Sequence, residues 1–248
     1  MSDLSGRTTL VVGASRGLGR GIAGAFAQAG AAVVAVARTG PALAELATTS
    51  PNLRTEVADA TDPTVAQRLL DQYRPEVLIL VAGATPVMGP LQDQTWETFS
   101  VNWHTDVKIA FTWLRAALLQ PLPPGSRVVV VSSGAAINGS PASGGYAGSK
   151  ATQRFLAGYA QEESRRAGLD LTVTAVLPTM TPFGEVGRRG VRAYAARGGQ
   201  TEEAYLQQLG ELLTPEVAGS ALVDLVRADA ATTAPGYLLT AAGLQKLP

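Results

Sequence analysis

The 248-residue sequence contains no cysteine. Disulfides, thiolate nucleophiles and cysteine-ligated metals are therefore excluded. It has a single histidine, His104, too few for a histidine-built metal centre, and no metal site is expected. Charged residues make up 16% of the chain and the formal net charge is zero. With no basic run, nucleic acid is not an expected partner. The longest apolar stretches, such as residues 77–82, fall far short of the ~20 residues a membrane helix needs. The opening MSDLSGRTTL lacks the basic and apolar regions of a signal peptide, so a cytoplasmic protein without membrane association is expected. What the chain has in quantity is apolar residues, 46%, and 27 glycines, the composition of a globular protein with ample core.

Short, nearly continuous apolar runs alternate with longer segments of helical periodicity. The runs at 8–12, 31–37, 53–57, 77–82, 128–132, 171–176 and 237–240 read as strands. Segments 17–29, 42–47, 63–73, 95–119, 146–167, 202–213 and 215–228 read as helices. Strands without polar alternation are buried on both faces, which implies a parallel sheet sandwiched between helices. The expected architecture is α/β: one domain over residues 1–248, doubly wound in the Rossmann manner, with seven parallel strands and helices on both faces. Residues 181–200 carry no clear core pattern and are rich in Gly and Arg. A lid-like insertion is expected there, at about 181–205.

Between the first strand and first helix lies VGASRGLGRG, with Gly13, Gly17 and Gly19 in Gly-x-x-x-Gly-x-Gly spacing. A strand–turn–helix of this kind brings backbone N–H groups and a helix N-terminus to a pyrophosphate, and glycine removes the Cβ atoms that would block the approach. Where an NAD-binding fold usually places an Asp or Glu for the ribose 2′-hydroxyl, this chain has Ala37 followed by Arg38. An arginine pairs with a 2′-phosphate and an acid repels it. Arg16, inside the turn, is a second candidate for that phosphate. The cofactor expected is NADP(H) rather than NAD.

Tyr146 and Lys150 are four residues apart at the start of a helical segment, with Ser133 thirteen residues earlier. On a helix, positions i and i+4 share a face, so a phenol and an ammonium stand side by side. A nearby cation favours the phenolate and suits the tyrosine to proton transfer. The chain has three lysines and six tyrosines, a composition in which Tyr-x-x-x-Lys arises by chance only roughly 0.07 times.

Taken together, the glycine turn, Asp59 in DATD, Ala82–Gly83 after the fourth strand, Asn102, Ser133 and Tyr146-x-x-x-Lys150 resemble the short-chain dehydrogenase/reductase family over essentially the whole chain. The resemblance implies that Tyr146 passes a proton to or from the substrate oxygen. Lys150 would tune the tyrosine and hold the nicotinamide ribose, Ser133 would position the substrate oxygen, and Asn102 would help hold a relay water. It also implies cofactor contacts from Gly13, Ser15, Arg16, Gly17, Leu18, Gly19, Arg38, Asp59, Ala60, Ala82, Gly83, Tyr146, Lys150, Pro178, Thr179 and Thr181. Asp59 would meet the adenine amino group. A homo-oligomer, dimer or tetramer, with contacts along the two long helices follows from the same resemblance.

The chain departs from the family pattern in places. The usual Asn-Asn-Ala-Gly is Leu80-Val81-Ala82-Gly83, the usual Asn-Pro-Gly is Leu177-Pro178-Thr179, and the C-terminal Gly-Gly is a lone Gly243. Thr179 and Thr181 compete for the family's cofactor-contacting threonine. Pro86, Val87, Met88, Ala135, Ile137, Met180 and Phe183 fall on loops at the carboxyl ends of strands and suggest a mostly apolar carbonyl or alcohol substrate. Arg188, Arg189, Arg192 and Arg197 in the lid keep open a 3-oxoacyl-carrier-protein reductase, though a solvated surface also accounts for them. A non-catalytic NADP-binding regulator is the reading from another class. His104 is expected to be structural, and Trp103 and Trp113 to serve packing.

Overall fold

A computed structural model of the chain describes residues 4–248. The elements run β1 (Thr8–Val12), α1 (Gly17–Gln28), β2 (Ala32–Ala37), α2 (Gly40–Ala47), β3 (Leu53–Val57), α3 (Pro63–Tyr73), β4 (Val77–Leu80), α4 (Trp96–Asn102) and α5 (Lys108–Leu119). They continue with β5 (Arg127–Val131), α6 (Ala135–Asn138), α7 (Tyr146–Ala167), β6 (Thr172–Pro178), α8 (Glu185–Arg197), α9 (Glu202–Leu209), α10 (Pro215–Arg227), β7 (Gly236–Thr240) and β8 (Gly243–Lys246). The strands form one sheet in the order β3-β2-β1-β4-β5-β6-β7-β8. The order reverses between β1 and β4, and in such a sheet the crevice opens at the carboxyl ends of the strands flanking that point.

Alternate residues of each inner strand feed two apolar layers. Leu10 and Val12 of β1 face Leu69, Trp113, Leu114 and Ala157 from α3, α5 and α7. Val11 faces Ile22, Phe26, Leu222 and Val226 from α1 and α10. This two-sided burial is why the strands read as unbroken apolar runs. Among the described residues, no helix is long and apolar enough to cross a membrane.

The sheet has eight strands rather than the expected seven. The eighth, β8, runs antiparallel to β7 with Gly243 opposite Thr240. Gly243 takes a φ of 105°, which reverses the chain after Ala241 and Ala242. GLQK is short, half polar and at the sheet edge, so it carries no strand signal.

The long helix expected over 95–119 is interrupted. Its start is a reciprocal cap: Thr95 Oγ1 accepts from Thr98 N at 3.3 Å and Thr98 Oγ1 accepts from Thr95 N at 2.9 Å. Between α4 and α5, Trp103–Val107 forms a π turn. Such turns insert a residue into the helical ladder and cluster at functional sites. The segment without core pattern also holds order: α8 buries Val191 and Ala195 and packs on α9, with the rings of Tyr194 and Tyr205 stacked 6.1 Å apart.

Candidate active site

A cleft of about 740 Å³ opens at the carboxyl ends of β1, β4, β5 and β6. Gly13, Ser15, Arg16, Gly17, Leu18, Gly19, Arg38, Asp59, Ala60, Ala82, Gly83, Ser133, Tyr146, Lys150, Pro178, Thr179 and Thr181 all line it. Of the expected site residues only Asn102, 1% exposed, lies behind the wall.

The glycine turn is built by close approach. Gly13 takes a φ of 102°, and a Cβ there would stand 2.5 Å from Ala82 N. A Cβ on Gly19 would stand 2.1 Å from the Gly13 carbonyl oxygen. These two glycines let β1, β4 and α1 meet. α1 then starts at Gly17 after Arg16, which offers no side-chain cap, and has no acid in its first turn, leaving its N-terminal amides open to the cleft.

Three of the charged residues expected around the cofactor, Asp59, Arg38 and Arg16, differ in their surroundings. Asp59 Oδ1 accepts from the backbone N and hydroxyl of Thr61, each at 2.9 Å. These hydrogen bonds hold its carboxyl below the usual aspartate range, with Arg38 adding to the effect. Arg38 follows β2 directly, is exposed, and makes no ion pair or hydrogen bond among the described residues. Arg16 instead pairs with Glu185 on α8 at 2.7 Å, and Glu185 also pairs with Arg189 at 2.8 Å. That latch joins the glycine turn to the lid helix, a contact no local sequence signal carries.

On the opposite wall, α7 begins at Tyr146, and Ser132 Oγ donates to the Lys150 carbonyl at 2.7 Å, fastening the helix to the end of β5. Lys150 Nζ lies 5.5 Å from the centre of the Tyr146 ring, the side-by-side arrangement expected of the spacing. Ser133 Oγ accepts from Ala135 N at 3.2 Å. The Lys150 ammonium is buried and stands 2.9 Å from Gln153 Oε1 and 3.0 Å from Asp106 Oδ2. Burial, the largest single influence, opposes its charge, but Asp106 and Tyr146 together outweigh it and the lysine pKa is raised.

Asp106 was not anticipated. It is fully buried in the π turn, four residues beyond Asn102. The side chain of Asn102 is committed to holding this region: its Nδ2 donates to the Ala84 carbonyl at 2.9 Å and to Asp106 Oδ1 at 3.3 Å. The signal available was an acid at i+4 from Asn102. Pro86, Met88, Ala135 and Met180 line the cleft as expected. Val87, Ile137 and Phe183 are exposed outside it, at 40%, 45% and 47%. Ser140, whose hydroxyl hydrogen-bonds that of Tyr194, lines it together with Asn138 and Tyr205; none of these was foreseen. The lid arginines Arg188, Arg189, Arg192 and Arg197 do not line the cleft, and Arg192 pairs outward with Glu202 at 3.3 Å. His104 is exposed and outside the cleft, while Trp113 is fully buried with Nε1 donating to the Ala60 carbonyl at 2.9 Å.

A strand–glycine turn–helix and the Ser133, Tyr146 and Lys150 side chains line one cleft. Residues 7–191 match the family model for short chain dehydrogenases, and the chain belongs to that family. It is 29% identical to L-xylulose reductase of Mesocricetus auratus over 168 residues, 68% of this chain and 63% of that protein, so that match spans less than two thirds of the relative's length. It is 30% identical to L-xylulose reductase of Bos taurus over 202 residues, 73% of this chain and 75% of the relative. A crystal structure of NAD+-bound xylitol dehydrogenase superposes with a TM-score of 0.83 at 20% identity, covering 97% of this chain and all of the other. At that identity the likeness shows the shared fold.

Proposed function

We propose that the protein is an NADP(H)-dependent oxidoreductase that moves a hydride between nicotinamide and a carbonyl or secondary alcohol of a mostly apolar small molecule. The observation that carries this reading is the convergence of Ser133, Tyr146 and Lys150 on one wall of a cleft whose far end is the glycine turn and Arg38. Two relatives are named as reductases of a keto sugar, which supports carbonyl chemistry.

The residues present fit the cofactor. The uncapped N-terminus of α1 suits a pyrophosphate. Unpaired Arg38 suits a 2′-phosphate, and the absence of an acid at position 37 removes the repulsion an NAD-type site would exert. Thr181 Oγ1 is buried without a hydrogen-bond partner among the described residues. A buried orphan hydroxyl calls for a partner, which favours Thr181 over Thr179 as the threonine that contacts the cofactor. Thr179 uses its backbone N–H on the Leu239 carbonyl at 2.8 Å. The nicotinamide supplies the hydride chemistry when bound.

The chain's own residues do the rest. Ser133 Oγ orients the substrate oxygen, and the Tyr146 hydroxyl delivers a proton to it in reduction or removes one in oxidation. Lys150 stays charged beside the tyrosine and stabilises negative charge on it. Met88, Met180 and Pro86 give the substrate end its apolar lining, which Ser140, Asn138 and Tyr194 interrupt on one side.

The test is NADPH oxidation across ketones, aldehydes, pentuloses and 3-oxoacyl thioesters, with the Tyr146→Phe variant as control. Turnover of at least one carbonyl by the wild type, lost in the variant while NADPH binding persists, is the expected result. Equal turnover by the variant would refute the assignment.

A further inference from the structure

The buried cluster at the cleft wall contains more than a lysine: Asp106 lines the cleft beside Lys150. Asp106 is 0% exposed and Lys150 5%. Asp106 Oδ1 accepts from Ala84 N at 2.8 Å and from Asn102 Nδ2. Its Oδ2 has one neighbour of opposite charge, the Lys150 ammonium, in an ionic contact rather than an aligned hydrogen bond. Gln153 closes the cluster from α7: its Oε1 accepts from Lys150 Nζ, and its Nε2 donates to the Asp106 carbonyl at 2.9 Å. The backbone makes room for this carboxylate, because a Cβ on Gly83 would stand 2.7 Å from Asp106 Oδ2.

An ammonium buried alone tends to lose its proton. The work asked of Lys150 needs it both charged and aimed. It has three N–H donors; Asp106 and Gln153 both engage it, and donor capacity is left toward the Tyr146 ring and the cleft. We propose that Asp106 is a positioning residue of the active site, a buried carboxylate that holds Lys150 charged and turned toward Tyr146 and the cofactor cleft. This rests on the proposed function only for the task given to Lys150. The pairing itself is independent of any bound molecule. The titratable groups acting on Lys150 are Asp106, across from it in the π turn, and Tyr146 on its own helix. Gln153, Asn102 and Ser132, which complete the surroundings, are neutral.

The protein has only three lysines, and Lys108 and Lys246 are exposed. Selective [13C,15N]-lysine labelling of the cofactor-free protein therefore yields three side-chain signals, with Lys150 assigned by its loss in Lys150→Arg. In the wild type, Lys150 should deprotonate at higher pH than the other two. In Asp106→Asn, which preserves the acceptor for Ala84 N–H, its midpoint should fall by about 1 pH unit or more. Turnover by that variant should drop about 10–100-fold, with the alkaline limb of its pH profile displaced to lower pH. A purely structural Asp106 would cost stability and leave the lysine titration in place, and that result overturns the proposal. Should Asp106→Asn not fold, the wild-type titration decides: Lys150 deprotonating at or below Lys108 and Lys246 refutes it. Absence of turnover with every carbonyl would count against the proposed function while the lysine titration still stood or fell by itself.

Discussion

Arg38→Asp tests the choice of cofactor most directly. Arg38 sits at the exit of β2, exposed, on the cleft and unpaired among the described residues. Arg16, the other guanidinium on that rim, is already engaged with Glu185. If Arg38 receives the 2′-phosphate, removing it forfeits a charge-assisted contact of about 1.5–3 kcal/mol. The new carboxylate then repels a doubly charged phosphate at about 6 Å, which in a water-like dielectric adds about 1–2 kcal/mol. At 1.4 kcal/mol per decade, NADPH should bind roughly 60- to 4,000-fold more weakly. NADH has no phosphate there, and the aspartate offers an acceptor to its ribose hydroxyl, so NADH affinity should change by no more than about threefold. Quenching of protein fluorescence measures both dissociation constants without any substrate. Wild-type affinity for NADPH should also weaken with added salt, since the contact lies at an exposed rim. A parallel loss of NADPH and NADH affinity, or none of either, would refute the role given to Arg38.

Three further outcomes are expected. Thr181→Val removes a buried hydroxyl that has no partner among the described residues, so the melting temperature should hold or rise while cofactor affinity falls about tenfold, a lost hydrogen bond of about 1.4 kcal/mol; unaltered affinity in a calorimetric titration would point away from Thr181. Trp113→Ala empties a fully buried site and cuts the tether to Ala60, and urea unfolding should show a loss of about 3–5 kcal/mol; a loss below about 1 kcal/mol would contradict the packing described. Phe111, Phe155 and Tyr159 expose 54%, 66% and 55% of their surface along α5 and α7, with the last two rings 5.9 Å apart. An apolar stripe on adjacent long helices suits a second copy of the chain. The wild type should therefore be a dimer or tetramer in light scattering at micromolar concentration, and Phe155→Glu should shift it toward monomer. A monomeric wild type would end that expectation.

The alternation of apolar runs with helical segments was enough to define a doubly wound sheet, because burial on both faces leaves strands no room for polar alternation. Local geometry was equally readable. Gly13 and Gly19 announce a turn where β1, β4 and α1 nearly touch, and the spacing of Tyr146 and Lys150 follows from the pitch of one helix. Those residues, with Ser133, do meet in one cleft. Features that depend on distant partners were not readable. Little in the local sequence marks Asp106 before the fold sets it against Lys150, 44 residues on, and against Ala84 on the loop after β4. Arg16 reads as a phosphate ligand, yet it is latched to Glu185, 169 residues away. Spacing does not separate Thr179 and Thr181, and their surroundings differ: among the described residues, Thr181 and not Thr179 carries a buried hydroxyl without a hydrogen-bond partner. β8 is likewise a product of context, a half-polar tail that becomes a strand because β7 offers it a free edge. Periodicity and turn chemistry act between near neighbours and are written in the chain itself. Charge pairing and desolvation act between whatever the fold brings together, so the tertiary structure alone decided which acid the buried lysine would face.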